Sequence, residues 1–81
     1  MKSEKIAIFI DVENLTRWVK NNGPSNLISE MSSVGQSIVR RAYGDWTNPN
    51  LQQLQMGLTQ QGFELIHNFH PVSGKIHLTY N

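Results

Sequence analysis

Lys5 to Ile10 reads KIAIFI and runs directly into Asp11. The run is β-branched or aromatic and apolar at nearly every position. A strand with one wet face would alternate, so this pattern predicts a strand buried on both faces. Such strands usually lie inside a parallel sheet with helices packed against it. The chain has 81 residues, enough for one domain, 1–81, that buries roughly 60–65% of its unfolded surface. A buried central strand must therefore account for much of the core.

The punctuation after this strand predicts alternating helices and strands. Val12 to Lys20 reads as a short helix with Leu15, Trp18 and Val19 near one face. Asn21, Asn22, Gly23 and Pro24 break it. A second helix is predicted from about Ser25 to Val34, with Leu27, Ile28, Met31 and Val34 at helical spacing, Pro24 in its first turn and Gly35 at its exit. Gln36 to Tyr43 reads as a second strand, ended by Gly44 and Asp45. Asn48 can cap a helix that takes Pro49 in its first turn and runs to about Gln61, with Gly62 as its stop. Phe63 to Phe69 reads as a third strand. Ile76, Leu78 and Tyr80 alternate with His77 and Thr79, the pattern of a short amphipathic strand. The order β-α-β-α-β plus a tail defines an α/β fold. Strands added in one direction would send both helical crossovers to the same side of the sheet.

Several chemistries are excluded or left without support. Cysteine is absent, which removes disulfides, thiolate metal sites and a cysteine nucleophile. The longest apolar run is far short of the ~20 residues of a membrane span and is not followed by a signal cleavage site, so a cytoplasmic chain with no membrane partner is expected. Seven Lys/Arg against six Asp/Glu leave a net charge of +1. That is neither an acidic tail nor a polybasic arm. His67 and His70 stand alone as a zinc pair, and no Ser/His/Asp set is spaced for nucleophilic catalysis.

In an open α/β sheet, ligands sit beyond the carboxyl ends of the strands. Asp11 ends the first predicted strand and Asp45 follows the second. Neighbouring strands lie ~4.8 Å apart, so the two carboxylates can converge on one divalent cation, with water and phosphate completing its shell. An Asp after a strand serves equally as a helix cap or turn residue. Asn14 stands one turn beyond Asp11, placed to orient a ligand or to bond locally. Ser73-Gly74-Lys75 follows the third strand and offers close backbone approach and a cation to a phosphate. It also reads as an ordinary polar loop. Arg40 and Arg41 point to opposite faces of a strand, with Arg41 a candidate phosphate contact or an ion-pair partner. Trp46 is a candidate base-stacking side chain, whereas Trp18 reads as packing.

Three segments carry a family resemblance: IAIFIDVENL (6–15), RRAYGDW (40–46) and GFELIHNFHPVSGK (62–75). In order and spacing they resemble the NYN domain, and within it the LabA-like branch, of the PIN-like nuclease fold. The resemblance implies a three-layer α-β-α, Rossmann-like parallel sheet and a ribonuclease dependent on Mg²⁺ or Mn²⁺. It implies that Asp11 and Asp45 hold the metal, that Asn14 assists catalysis, and that Ser73 and Lys75 of the SGK loop meet RNA. Trp46 and Arg41 join them as candidate RNA contacts from their own chemistry, not from the resemblance. In the family, further acidic residues follow the SGK segment. Here IHLTYN follows it, and no Asp or Glu occurs after Glu64. The expectation is a shortened domain, the N-terminal βαβαβ half plus a short tail. In such a half, the apolar edge of the first strand would lie unpaired and drive homo-oligomer formation, with the tail adding a strand to a neighbour. The alternative function is a non-catalytic module that binds RNA or protein, or that oligomerises.

Overall fold

The computed structural model describes residues 4–67 and 75–80. The chain forms β1 (Glu4–Asp11), a 3-10 turn (Glu13–Leu15), α1 (Thr16–Lys20), α2 (Gly23–Met31), β2 (Gly35–Gly44), α3 (Pro49–Gln52), α4 (Gln55–Gln60), β3 (Glu64–His67) and β4 (Ile76–Tyr80). The four strands make one sheet in the order β3-β2-β1-β4. β1, β2 and β3 are parallel, which is the predicted βαβαβ unit, and β4 pairs antiparallel with β1.

The register sorts the side chains. Ile6, Ile8 and Ile10 of β1 share a face with Arg40 and Ala42 of β2 and with Leu78 of β4. Those three isoleucines are fully buried, worth about 1.5–3 kcal/mol each in apolar burial. They form the core with Val12, Ala42, Leu51, Leu58 and Phe63, and Trp18, Leu27, Ile28, Met31 and Leu54 pack against it. All the described helices therefore cover one face, where both crossovers were expected to arrive. This is a helix layer on a sheet, two layers of the three that the resemblance implies. On the other face stand Phe9, Arg41, Tyr43 and His77, with the Phe9 ring 6.4 Å from Tyr43 and 5.8 Å from His77.

Local signals explain most element boundaries. Asn48 accepts a hydrogen bond from the Asn50 backbone N–H at 2.9 Å and caps α3, with Pro49 in its first turn. Gly62 sits at φ +81° after α4, a backbone region that glycine enters without strain. A Cβ at Gly23 would collide with the Trp18 indole, so this glycine lets the α1–α2 corner close.

Three expectations are corrected. The helix predicted from Asn48 to Gln61 is two short helices, α3 and α4, joined through Gln53 and Leu54. The 3-10-like bond from the Leu54 N–H to the Leu51 carbonyl at 3.0 Å bends the chain there, so Leu51, Leu54 and Leu58 all reach the core. Gly35 is the first residue of β2 rather than a helix exit; its close approach to the Glu4 carbonyl leaves no room for a Cβ. Most consequentially, β1 has no free edge: β4 pairs with it from Ile6–Tyr80 to Ile10–Ile76. The alternating tail closes its own sheet, because its apolar residues Ile76, Leu78 and Tyr80 fall on the helix face in that register.

Candidate functional site

Asp11 is the last residue of the central strand, flanked on both sides. Its register partner on β2 is Tyr43, and its backbone N–H donates to the Lys75 carbonyl at 2.9 Å on the other side. The following residue, Val12, is fully buried and donates its N–H to the Tyr43 carbonyl at 2.9 Å. The chain is thus fixed before and after the carboxylate. The 3-10 turn then returns Asn14 to Asp11, and its Nδ2 donates to Asp11 Oδ2 at 2.6 Å. The Asn14 N–H approaches Oδ1 at 3.4 Å, a long contact that leaves that oxygen largely open.

Asp45 stands just past the end of β2 and is held by different means. Thr47 donates to Asp45 Oδ1 from its hydroxyl and, at 3.0 Å, from its backbone N–H. The Asn48 N–H closes the turn on the Asp45 carbonyl at 3.0 Å. These bonds to the charged form, the hydroxyl's first and the backbone's second, lower the pKa of Asp45 below the ordinary value. Partial desolvation opposes them, and the nearby His67 adds a smaller lowering effect. Asp45 Oδ2 has no hydrogen-bond partner among the described residues. Thr47 is the functional neighbour that the sequence reading missed. The signal was present, since Asp-x-Thr is the pattern of a side-chain-to-backbone turn.

The other candidates divide. The structure brings Lys75 beside Asp11, exposed. Arg41 lies farther down the outer face, in register with Phe9, and its Nε pairs with Glu64 Oε1 at 3.2 Å. Trp46 is half-buried against the core, and its Nε1–H donates to the Ile66 carbonyl at 2.9 Å. In this conformation its indole binds the β2–α3 loop to β3. Ser73 lies outside the described residues, as do Gly74 and His70. Arg40, on the helix face, donates to the Gln61 carbonyl at 2.6 Å and to Ser37 Oγ at 2.9 Å, which ties α4 to β2.

Among the described residues no group of three or more His, Cys, Asp or Glu is placed to hold a metal ion. The two available carboxylates fit a less demanding ion. Magnesium commonly takes one or two protein carboxylates and keeps several waters. At these adjacent strand ends Asp45 Oδ2 has no hydrogen bond among the described residues, and Asp11 Oδ1 takes only the long contact from the Asn14 N–H. A cleft of about 460 Å³ lies on the helix side of these strand ends, lined by Glu13, Thr16, Lys20, Asn48, Asn50 and Leu51 and by neither Asp11 nor Asp45. It falls between the two strand-to-helix loops, the position at which α/β sheets place ligands.

The fold and this mouth define an α/β domain with carboxylates at the carboxyl ends of parallel strands, suited to a hydrated cation and an anionic ligand. Residues 5–77 match the NYN domain, and the chain belongs to the NYN domain family. That family is nuclease-like and generally metal-dependent. Neither the curated proteins nor the solved structures compared with the chain gave a match. No helix among the described residues is long and apolar enough to cross a membrane.

Proposed function

We propose that the chain is a NYN-type ribonuclease domain of the LabA-like branch, acting in the cytoplasm on RNA phosphodiesters with Mg²⁺ or Mn²⁺. The observation that carries this reading is the fixed carboxylate of Asp11, oriented by Asn14 and flanked by Lys75. Asp11 would hold the metal and Asp45 would share it. When bound, such an ion polarises a phosphoryl oxygen and makes bound water a better nucleophile. The chain's own contributions are positional. Asn14 holds Asp11 Oδ2, so Oδ1 is presented in one direction. Lys75 offers its ammonium to a phosphate oxygen, with Ser73 and Gly74 preceding it in sequence. Trp46 would reach RNA only by leaving the Ile66 carbonyl, and Arg41, whose Nε pairs with Glu64, lies farther from the mouth; both rank below Lys75 as contacts. A net charge of +1 gives modest affinity and a shallow salt dependence.

The second reading is a non-catalytic module that binds RNA. It is favoured by the small carboxylate count, since the described residues hold no cluster of three metal-ligating side chains.

Cleavage of a labelled single-stranded RNA, with Mn²⁺ and with EDTA, separates the two. Metal-dependent cutting that falls by about a hundredfold or more in Asp11→Asn supports the nuclease reading. Absence of cutting by protein with a folded circular dichroism spectrum, together with RNA retention on a filter, supports the binding module.

A further inference from the structure

We propose that the outer edge of β4 is a self-pairing surface, joining two copies of this chain into one continuous sheet. The two edges of the sheet are built differently. On one side β3 is short, carries Glu64, and covers only Arg41 to Gly44 of β2. The uncovered part of β2 is protected by other means: the β1–β2 register shifts between Ile6 and Ala7, and the Arg40 side chain bonds Ser37 and Gln61. A bulge and a charged edge are common devices against strand addition. On the other side β4 reads IHLTY, with no Asp, Glu, Lys or Arg, and its pairing with β1 runs without a register shift.

The hydrogen-bond phase of β4 determines what its edge offers. Asp11 donates to the Lys75 carbonyl, so Lys75 faces β1, and by alternation His77 and Thr79 do as well. Ile76, Leu78 and Tyr80 therefore turn their backbone N–H and C=O groups outward, where no described residue pairs with them.

A second copy fits this edge in one symmetric register. Antiparallel pairing about a two-fold axis at Leu78 sets Leu78 opposite its copy, Ile76 opposite Tyr80 of the other chain, and His77 opposite Thr79. All outward-facing backbone groups are then satisfied. The exposed apolar residues of the strand, Ile76 at 38% and Tyr80 at 48%, cover one another on the helix face. No like charges meet, so the edge is complementary to itself in charge as well as in hydrogen bonding. The helices of both copies lie on the same side of the joined sheet. The contact is small, which places it among weak, reversible interfaces. Because β1 of one copy runs opposite to β1 of the other, the two Asp11 carboxylates stand at opposite ends. The pairing pools no carboxylates, so it is independent of the catalytic proposal.

Sedimentation velocity of the full chain from roughly ten to several hundred micromolar tests this, the range suiting a small interface. The wild type is expected to show a reversible monomer–dimer equilibrium. Ile76→Lys combined with Tyr80→Lys sets like charges opposite each other at both ends, and is expected to weaken dimerisation at least tenfold. Ile76→Lys combined with Tyr80→Glu sets opposite charges in contact in this register alone, and is expected to restore it to within a few-fold. Both pairs change exposed positions, and circular dichroism checks the fold of each variant. A wild type that stays monomeric throughout would overturn the proposal. So would a Lys/Lys variant that dimerises like the wild type, or a Lys/Glu variant as monomeric as the Lys/Lys one.

Discussion

Asp11 and Asp45 are the same side chain at the ends of neighbouring parallel strands, yet they are held by different parts of the molecule. Asp11 ends a strand paired on both sides and backed by Ile6, Ile8 and Ile10, all fully buried. Its position is a property of the whole sheet, and only the final orientation of its carboxylate is local, through Asn14. Asp45 lies beyond the last paired residue of β2 and is organised by a turn two residues long, through Thr47. One carboxylate is placed by the core and the other by its own loop. The difference ranks them under the proposed function: a metal held at this mouth would take its fixed reference from Asp11, with Asp45 the adaptable partner.

The largest test of that contrast is Ile8→Ala. A cavity under the middle of β1 is expected to lower unfolding free energy by about 2–4 kcal/mol in urea denaturation, and to weaken Mn²⁺ binding with it. Thr47→Val, which disturbs only the Asp45 turn, is expected to lower the urea midpoint at neutral pH far less than Ile8→Ala does. Equal loss from both variants would erase the distinction. Next in size, Asn14→Ala is expected to reduce Mn²⁺ affinity about tenfold, the usual scale for losing a group that orients a ligand. Paramagnetic broadening of backbone amides reads this without any activity, and in the wild type should be stronger near Asp11 and Val12 than near Thr47. Broadening centred on Thr47 would reverse the ranking.

The smallest effect is in titration. Because bonds from Thr47 lower the pKa of Asp45, the folded state gains from this group above the ordinary value of 3.8 and loses the gain as pH falls through the lower, folded value. Thr47→Val is expected to raise that pKa toward 3.8, measured by carboxyl-carbon NMR, and to flatten the acid limb of stability. An unchanged titration would show that Thr47 does not control the carboxylate.

Much of this was legible along the chain. The unbroken apolar run at Ile6–Ile10, the Asn48 cap with Pro49 behind it, and the stop at Gly62 are local signals, each set by side-chain chemistry within a few residues. Asp11 at a strand end and Asn14 one turn later were legible for the same reason. The break between α3 and α4 was not, because helical spacing from Leu51 to Leu58 is satisfied equally by one helix or by two bent ones. Trp46 was open from sequence for a related reason. Its indole suits a base or a core, and the Ile66 carbonyl that takes its N–H lies on another strand.

The sequence by itself determined the strands and their order, where the helical connections lie along the chain, and the side of the sheet to which the crossovers return. Hydrophobic periodicity and turn chemistry act over short distances, and a run of parallel strands leaves few ways to connect them. Only the tertiary structure decided where the tail goes. An alternating strand can pair with its own chain or with another, in either direction, and the register that wins is the one that buries Leu78 on the helix face beside Ile8. That pairing closes the edge of β1 and brings Lys75 to the backbone of Asp11. It also turns the groups of Ile76, Leu78 and Tyr80 outward. These are contacts across more than sixty positions of sequence, as in Asp11 with Lys75, and short-range chemistry carries no information about them.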